Sequence, residues 1–185
     1  AYPLYEAEIR AIDDTERKEV EKRLRYEAFH DRMTGLPNRA LFLDRVGQAL
    51  IRDAPGAVIV VGLDRMRAIN EAFGHSVGDR LVVEVSRRLL AAAGREGTVG
   101  RIGGDEFAVL ITPGYDDAST VEHVGNAGRA VVTQDHRDLS TTVSVGVRRL
   151  SGLEAPELVL SDALLALQRA KQLGRNRTVI YEPSL

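Results

Sequence analysis

Residues Ala57-Val-Ile-Val-Val-Gly-Leu63 form an uninterrupted apolar run, entered through Pro55-Gly56. A strand with one face in water alternates apolar and polar residues, so a run without a polar member must be covered on both faces. The chain therefore needs a layer on each side of a central strand. Helical spacing predicts those layers over Arg39–Ile51 (Leu41, Val46, Ala49, Leu50), Asp64–Phe73, Val77–Ala93, Asp116–Val132 and Pro156–Leu173. Proline opens the last of these and Gly174 follows its end, the usual asymmetry of helix boundaries. Val99–Ile102 and Phe107–Thr112 read as strands joined by Gly103-Gly-Asp-Glu106. Leu139–Leu150 reads as one long strand and Thr178–Tyr181 as the last. A hairpin combined with helical crossovers predicts an α+β fold, with a mixed, mainly antiparallel sheet wrapped by helices.

Ahead of this unit, Tyr5–Ile12 alternates like a strand, and Asp13-Asp14-Thr15 offers caps for a charged helix over Glu16–Phe29. Val20, Leu24 and Phe29 are too few to bury that helix alone. It is either one strand of a coiled coil or a solvated linker. The turn residues of Met33-Thr-Gly-Leu-Pro-Asn38 mark the entry to the globular unit. A net charge of −2 supplies no basic field for nucleic acid. The absence of cysteine excludes disulfides, thiolate catalysis and cysteine-zinc sites, and the four histidines show no metal spacing. No apolar run approaches the roughly 20 residues of a membrane span. A cytoplasmic domain with neither nucleic-acid nor membrane partner is expected.

Three clusters carry possible chemistry. Gly103-Gly104-Asp105-Glu106 puts two carboxylates at a hairpin tip, where a ligand can approach the glycine backbone closely. Such a pair suits Mg²⁺, and it equally suits an ordinary turn with solvated acids. Asn70 and Asp79 bracket Gly74-His75-Ser-Val-Gly78. Together an amide and a carboxylate match the donors and acceptors of a guanine edge, although each also serves as a helix cap. Lys171 and Arg175, at i and i+4, share one helical face. There they would either bind phosphate or complement the helix C-terminus. His75 reads as a structural hydrogen-bonder, since no nucleophile neighbours it.

Taken in order, Asp31-Arg-Met-Thr-Gly-Leu-Pro-Asn-Arg39, Ile69-Asn70, Gly74-His75, Gly78-Asp79, Arg101-Ile-Gly-Gly-Asp-Glu-Phe107, Val143-Ser-Val-Gly146 and Ala170-Lys-Gln-Leu-Gly-Arg-Asn176 resemble the GGDEF family. These are diguanylate cyclases, which condense two GTP into cyclic di-GMP. The resemblance covers about residues 28 to 182. It implies a fold akin to nucleotide cyclases and the polymerase palm, with a ferredoxin-like core. It further implies that Asn70 and Asp79 read guanine and that Lys171 and Arg175 hold phosphates. Asp105 would bind Mg²⁺ or Mn²⁺, and Glu106 would support metal binding or deprotonate the 3′-hydroxyl. The Leu63 carbonyl could contribute a further metal ligand, and Asp64 is a candidate only if the backbone moves. Each domain would hold one GTP, so two copies would face each other as a transient homodimer. The chemistry is phosphoryl transfer clamped by two metals.

The pattern breaks in three places. The family has Asp-x-Asp then Phe-Lys at the end of the first core strand; here the first Asp falls on Gly62, and Arg67 stands where the Lys near the phosphates would be. Asp64, two residues on, points the same way but some 6–7 Å along the strand, at about 3.3 Å per residue. The Arg-x-x-Asp product-binding site maps onto Gly94 and Gly97, so feedback through it is not expected. Leu164 and Gln168 replace an Asp and a Tyr that family members often carry. Residues 1–13 resemble the end of a PAS sensor domain, 14–30 a signalling helix, 31–182 the GGDEF domain, and 183–185 the start of a linker toward an EAL domain. The expectation is a GTP-binding GGDEF domain whose cyclase chemistry is impaired by Gly62. An active cyclase and a non-binding dimerisation or relay domain are the alternatives.

Overall fold

The computed structural model describes residues 17–53, 55–112, 117–134 and 137–183. The strand expected over Tyr5–Ile12, and the sensor remnant it suggested, lie outside these. A first helix, α1, covers residues 17–29 and leaves Val20, Leu24 and Phe29 exposed. Its end is tied to the domain by Asn38, whose side-chain amide donates to the Ala28 carbonyl and whose backbone N–H donates to that of Phe29. The remaining elements run α2 (Arg39–Ile51), β1 (Ala57–Leu63), α3 (Met66–Phe73), α4 (His75–Ala93), β2 (Thr98–Arg101), β3 (Glu106–Ile111), α5 (Asp117–Gly128), β4 (Val131–Gln134), β5 (Arg137–Ser140), β6 (Val143–Arg149), α6 (Pro156–Gln172) and β7 (Thr178–Ile180). Among the described residues no helix is long and apolar enough to cross a membrane.

The main sheet has five strands in the order β2-β3-β1-β6-β7, antiparallel except for the β6–β7 pair. Strand β1 is central and buried throughout, as its composition requires. Its residues divide by parity. Ala57, Ile59, Val61 and Leu63 join Leu81, Val85, Leu89, Val121 and Val124 in a core under α4 and α5. Val58 and Val60 join Phe42, Val46, Leu160, Ala163 and Leu167 in a second core under α2 and α6. By the same alternation Gly62 belongs to the α6 side. Helix α6 lies so close to β6 that a Cβ on Gly146 would come within 2.2 Å of the Ala163 carbonyl oxygen.

Three expected boundaries are corrected. The long strand over Leu139–Leu150 is interrupted at 141–142, where both threonines turn to Asp64: the Thr141 hydroxyl donates to its carbonyl and the Thr142 hydroxyl to its carboxylate. What precedes the break pairs with β4 in a separate two-stranded sheet. Helix α5 accordingly stops at Gly128 rather than Val132; a Cβ there would meet Val61 at 2.9 Å. Helix α3 starts at Met66 rather than Asp64, because Arg65 adopts a left-handed conformation with φ 58°.

Candidate functional site

The ends of β1, β3 and β6 meet at one edge of the sheet, beneath the last turn of α6. Gly62 pairs in register with Glu106 on one side and Ser144 on the other. The Leu63 N–H donates to the Asp105 carbonyl at 3.0 Å, which stitches the hairpin turn to the end of β1. Within the turn, the Ile102 and Gly103 N–H groups both donate to the Glu106 carbonyl, at 3.0 and 3.2 Å. Nothing lies within 4 Å of where a Gly104 Cβ would stand, so this face of the turn is open to a ligand.

Lys171 reaches from α6 across Gly62. A Cβ on Gly62 would lie 2.9 Å from the Lys171 Cε and 3.0 Å from its Nζ. The ammonium stands 3.5 Å from Glu106 Oε1 and 4.0 Å from Asp105 Oδ2. This arrangement does not fit the divalent-metal pair that the sequence resemblance implies. Glycine stands at one ligand position, a lysine cation already faces the two carboxylates, and Asp64 is committed elsewhere. Among the described residues, no three His, Cys, Asp or Glu side chains come together to hold a metal ion.

Asp64 is buried, with 3% of its surface accessible. Its Oδ1 accepts from the Ser144 hydroxyl at 2.8 Å, and its Oδ2 accepts from the Thr142 hydroxyl at 2.8 Å and the Asn176 N–H at 3.1 Å. A carboxylate satisfied by three donors is an anchor, and it fastens the loop after α6 to β6. That loop also corrects the helical face expected for Lys171 and Arg175. Helix α6 ends at Gln172, Gly174 has φ 115°, and Arg175 and Asn176 are left-handed at 63° and 48°. Arg175 is exposed and lines a different cleft of about 560 Å³ with Asp64, Phe73 and Thr142.

The residues expected to read a base do converge. A cleft of about 570 Å³ is lined by Arg67, Asn70, Asp79, Arg101, Gly104 and Asp105, among others. Asn70 on α3 lies against the first turns of α4 because residue 78 has no side chain: a Cβ on Gly78 would come within 2.0 Å of Asn70 Oδ1. That oxygen is buried against Gly78 and accepts no hydrogen bond within the domain. Asp79 is exposed one residue further along α4. Arg67 is turned outward: its side chain is 92% accessible and paired with Glu71 at 2.8 Å, so its charge is held at the cleft's rim.

Arg101 received no role from the sequence, yet it braces the hairpin. Its guanidinium donates to both Asp31 carboxylate oxygens, at 3.1 and 3.2 Å, and to the Gly104 carbonyl at 2.7 Å. Burial pushes the Asp31 carboxyl up, but hydrogen bonds from the Thr34 hydroxyl and N–H and from Arg101 outweigh it and hold the group below its ordinary value. Asp31 and Arg101 are 70 positions apart, and only their presence in two adjoining motifs signals the pair.

Comparison with known proteins agrees with this geometry. Residues 28–177 match the family model described as diguanylate cyclase, GGDEF domain. Diguanylate cyclase TpbB of Pseudomonas aeruginosa is 34% identical over 169 residues, covering 86% of this chain and 39% of that protein. MucR from the same organism, a bifunctional diguanylate cyclase and cyclic di-GMP phosphodiesterase, is 36% identical over 166 residues, which cover 85% of this chain and 24% of MucR. The chain thus spans well under half the length of these relatives. The structure of an N-terminally truncated TpbB from Pseudomonas aeruginosa comprising only its GGDEF domain superposes with a TM-score of 0.76 at 30% identity, covering 83% of this chain and 94% of that one. A match over most of the chain, a palm-like sheet, and a Gly-Gly-Asp-Glu turn at the sheet's working edge together make this chain a member of the GGDEF family of diguanylate cyclase domains.

Proposed function

We propose that this domain binds GTP and that its ability to condense two GTP into cyclic di-GMP is impaired. The observation that carries the second half is the Lys171 ammonium beside Asp105 and Glu106, over a glycine. The relatives named above are diguanylate cyclases, and MucR is also a phosphodiesterase. A nucleotide-responsive domain next to a phosphodiesterase, working as a transient homodimer downstream of a sensor, is the setting that fits an inefficient cyclase.

Guanine recognition follows from the cleft. Guanine offers N1–H and an N2 amino group as adjacent donors. Asp79 supplies one matching acceptor, and the Asn70 amide, turned out from Gly78, would supply a second, whereas adenine's single exocyclic amine leaves one of them unpaired. A site built to hydrogen-bond a donor discriminates strongly against a ligand lacking it. Phosphates extending toward the open Gly103–Gly104 turn would come within reach of Lys171, with Arg67 at the rim. Arg175, in the neighbouring cleft, would reach them only after its loop moves. Mg²⁺ or Mn²⁺ carried in with the nucleotide would reach Asp105 and Glu106 only by displacing the Lys171 ammonium that faces them, and Asp64 is held by Ser144, Thr142 and Asn176. The donor set gives no basis for a metal-borne step.

Calorimetric titration tests the binding half. GTP should bind at least tenfold more tightly than ATP. Gly78→Ala, whose new methyl displaces the Asn70 amide, should narrow that gap while leaving the fold intact. Equal affinity of the unmodified domain for the two nucleotides would refute guanine recognition.

A further inference from the structure

We infer that Lys171 is a resident counter-ion for Asp105 and Glu106, built into the space that glycine leaves at position 62, and that it keeps divalent cations off this carboxylate pair. The inference deepens the reading above. It rests on that reading's assignment of the carboxylates to the site, but not on guanine binding.

The geometry makes the lysine and the glycine interdependent. Helix α6 is seated on β6 through the contact of Gly146 with the Ala163 and Leu167 backbone. Leu167 then flanks Gly62, 3.1 Å from its virtual Cβ, and Lys171 follows one turn later on the same face. Any side chain at 62 would overlap the end of the Lys171 stem, at 2.9 Å from Cε. With glycine at 62 the stem lies flat over β1 and brings its ammonium to 3.5 Å from Glu106 and 4.0 Å from Asp105. The lysine side chain is 26% accessible, and the two acids are 41% and 31% accessible, so the three charges are partly withdrawn from water.

A divalent ion would have to displace this ammonium or tolerate it. Mg²⁺ binds oxygen at about 2.1 Å in an octahedron. An ion so placed on Glu106 Oε1 would stand no farther than about 5.6 Å from an ammonium that is itself 3.5 Å from the same oxygen. Opposed like charges at that distance weaken binding, and two carboxylates do not complete the ligand set. Lysine brings its own hydrogen-bond donors and single charge, and it needs no particular coordination geometry. The carboxylate pair is therefore neutralised in part without drawing on the metal supply.

Manganese binding to the nucleotide-free domain, read by electron paramagnetic resonance, tests this directly. The unmodified domain should show no saturable uptake below millimolar Mn²⁺. Lys171→Met, and equally Lys171→Gln, should bind Mn²⁺ at least tenfold more tightly, and adding Asp105→Asn should abolish the gain. Circular dichroism identifies which lysine variant is folded, and either one decides the matter. Submillimolar uptake by the unmodified domain that Asp105→Asn removes would overturn the inference. So would a folded lysine variant with no gain. No nucleotide is present, so failure of GTP binding leaves this result standing, and the reverse also holds.

Discussion

Gly146→Ala isolates the contact that positions α6, and with it Lys171. The added methyl carbon would stand 2.2 Å from the Ala163 carbonyl oxygen and 2.3 Å from the Leu167 nitrogen, against an ordinary contact of 3.4 Å or more. Both neighbours are helix backbone, so no side chain can swing aside, and α6 must retreat by about 1.2 Å. That retreat loosens Val159, Leu160, Ala163 and Leu167, all buried against β1 and β3. Overpacking a well-filled core costs about 1–3 kcal/mol, and a rigid backbone obstacle belongs at the upper end. Removing a glycine from a strand returns roughly 0.5–1 kcal/mol. The net loss is about 2 kcal/mol, which for a domain of this size lowers the melting midpoint by about 4–8 °C. Urea unfolding at neutral pH measures it, with an unchanged slope showing that the denatured state is unaffected. A loss below about 0.5 kcal/mol would mean that α6 is not seated on β6 through this glycine, and the placement of Lys171 over Gly62 would lose its support.

Two further outcomes follow from carboxylates held by hydrogen bonds. Asp64→Ala strands the buried Ser144 hydroxyl and frees the exposed Thr142 hydroxyl and the Asn176 N–H. A loss of about 3 kcal/mol is expected, and amide exchange at Asn176 should accelerate far more than in the strands of the sheet; unchanged exchange there would contradict the anchoring role. The Asp31 carboxyl titrates below its ordinary value of 3.8 in the folded domain. A depressed folded value means that its contribution is complete above the unfolded value and is lost as pH falls through the folded one. Asp31→Asn should therefore cost stability at pH 7, and the gap from the unmodified domain should shrink below about pH 4. A gap that stays constant from pH 7 to pH 3 would refute this.

Much of the fold was legible because its strongest signals are local. The apolar run of β1 demanded two covering layers, and strand parity alone assigns Gly62 to the layer above Val58 and Val60. The break in the strand after Ser140 was not legible. Thr141 and Thr142 have good strand propensity, and only the distant Asp64 draws them out of the ladder. The convergence of Asn70 and Asp79 was implied by the family resemblance, while their types and spacing alone equally suited helix caps, and Gly78 explains how it is achieved. Arg175 was misplaced because helical periodicity was carried past a glycine, into residues that are left-handed. The glycine at 62 was visible as a missing carboxylate. That a lysine fills its space was not, since the pairing depends on how α6 crosses the sheet.

The most direct test of impaired cyclase chemistry is product formation from GTP and Mg²⁺, followed by chromatography at a protein concentration high enough to dimerise. The unmodified domain should yield little or no cyclic di-GMP while still binding GTP by calorimetry. Gly62→Asp supplies the third carboxylate, and Lys171, whose end is flexible, can give way to it. Turnover should rise by roughly 10²–10³, the order expected when a missing charge-stabilising group is restored at a reacting centre. Robust turnover by the unmodified domain, left unchanged by Gly62→Asp, would contradict the account.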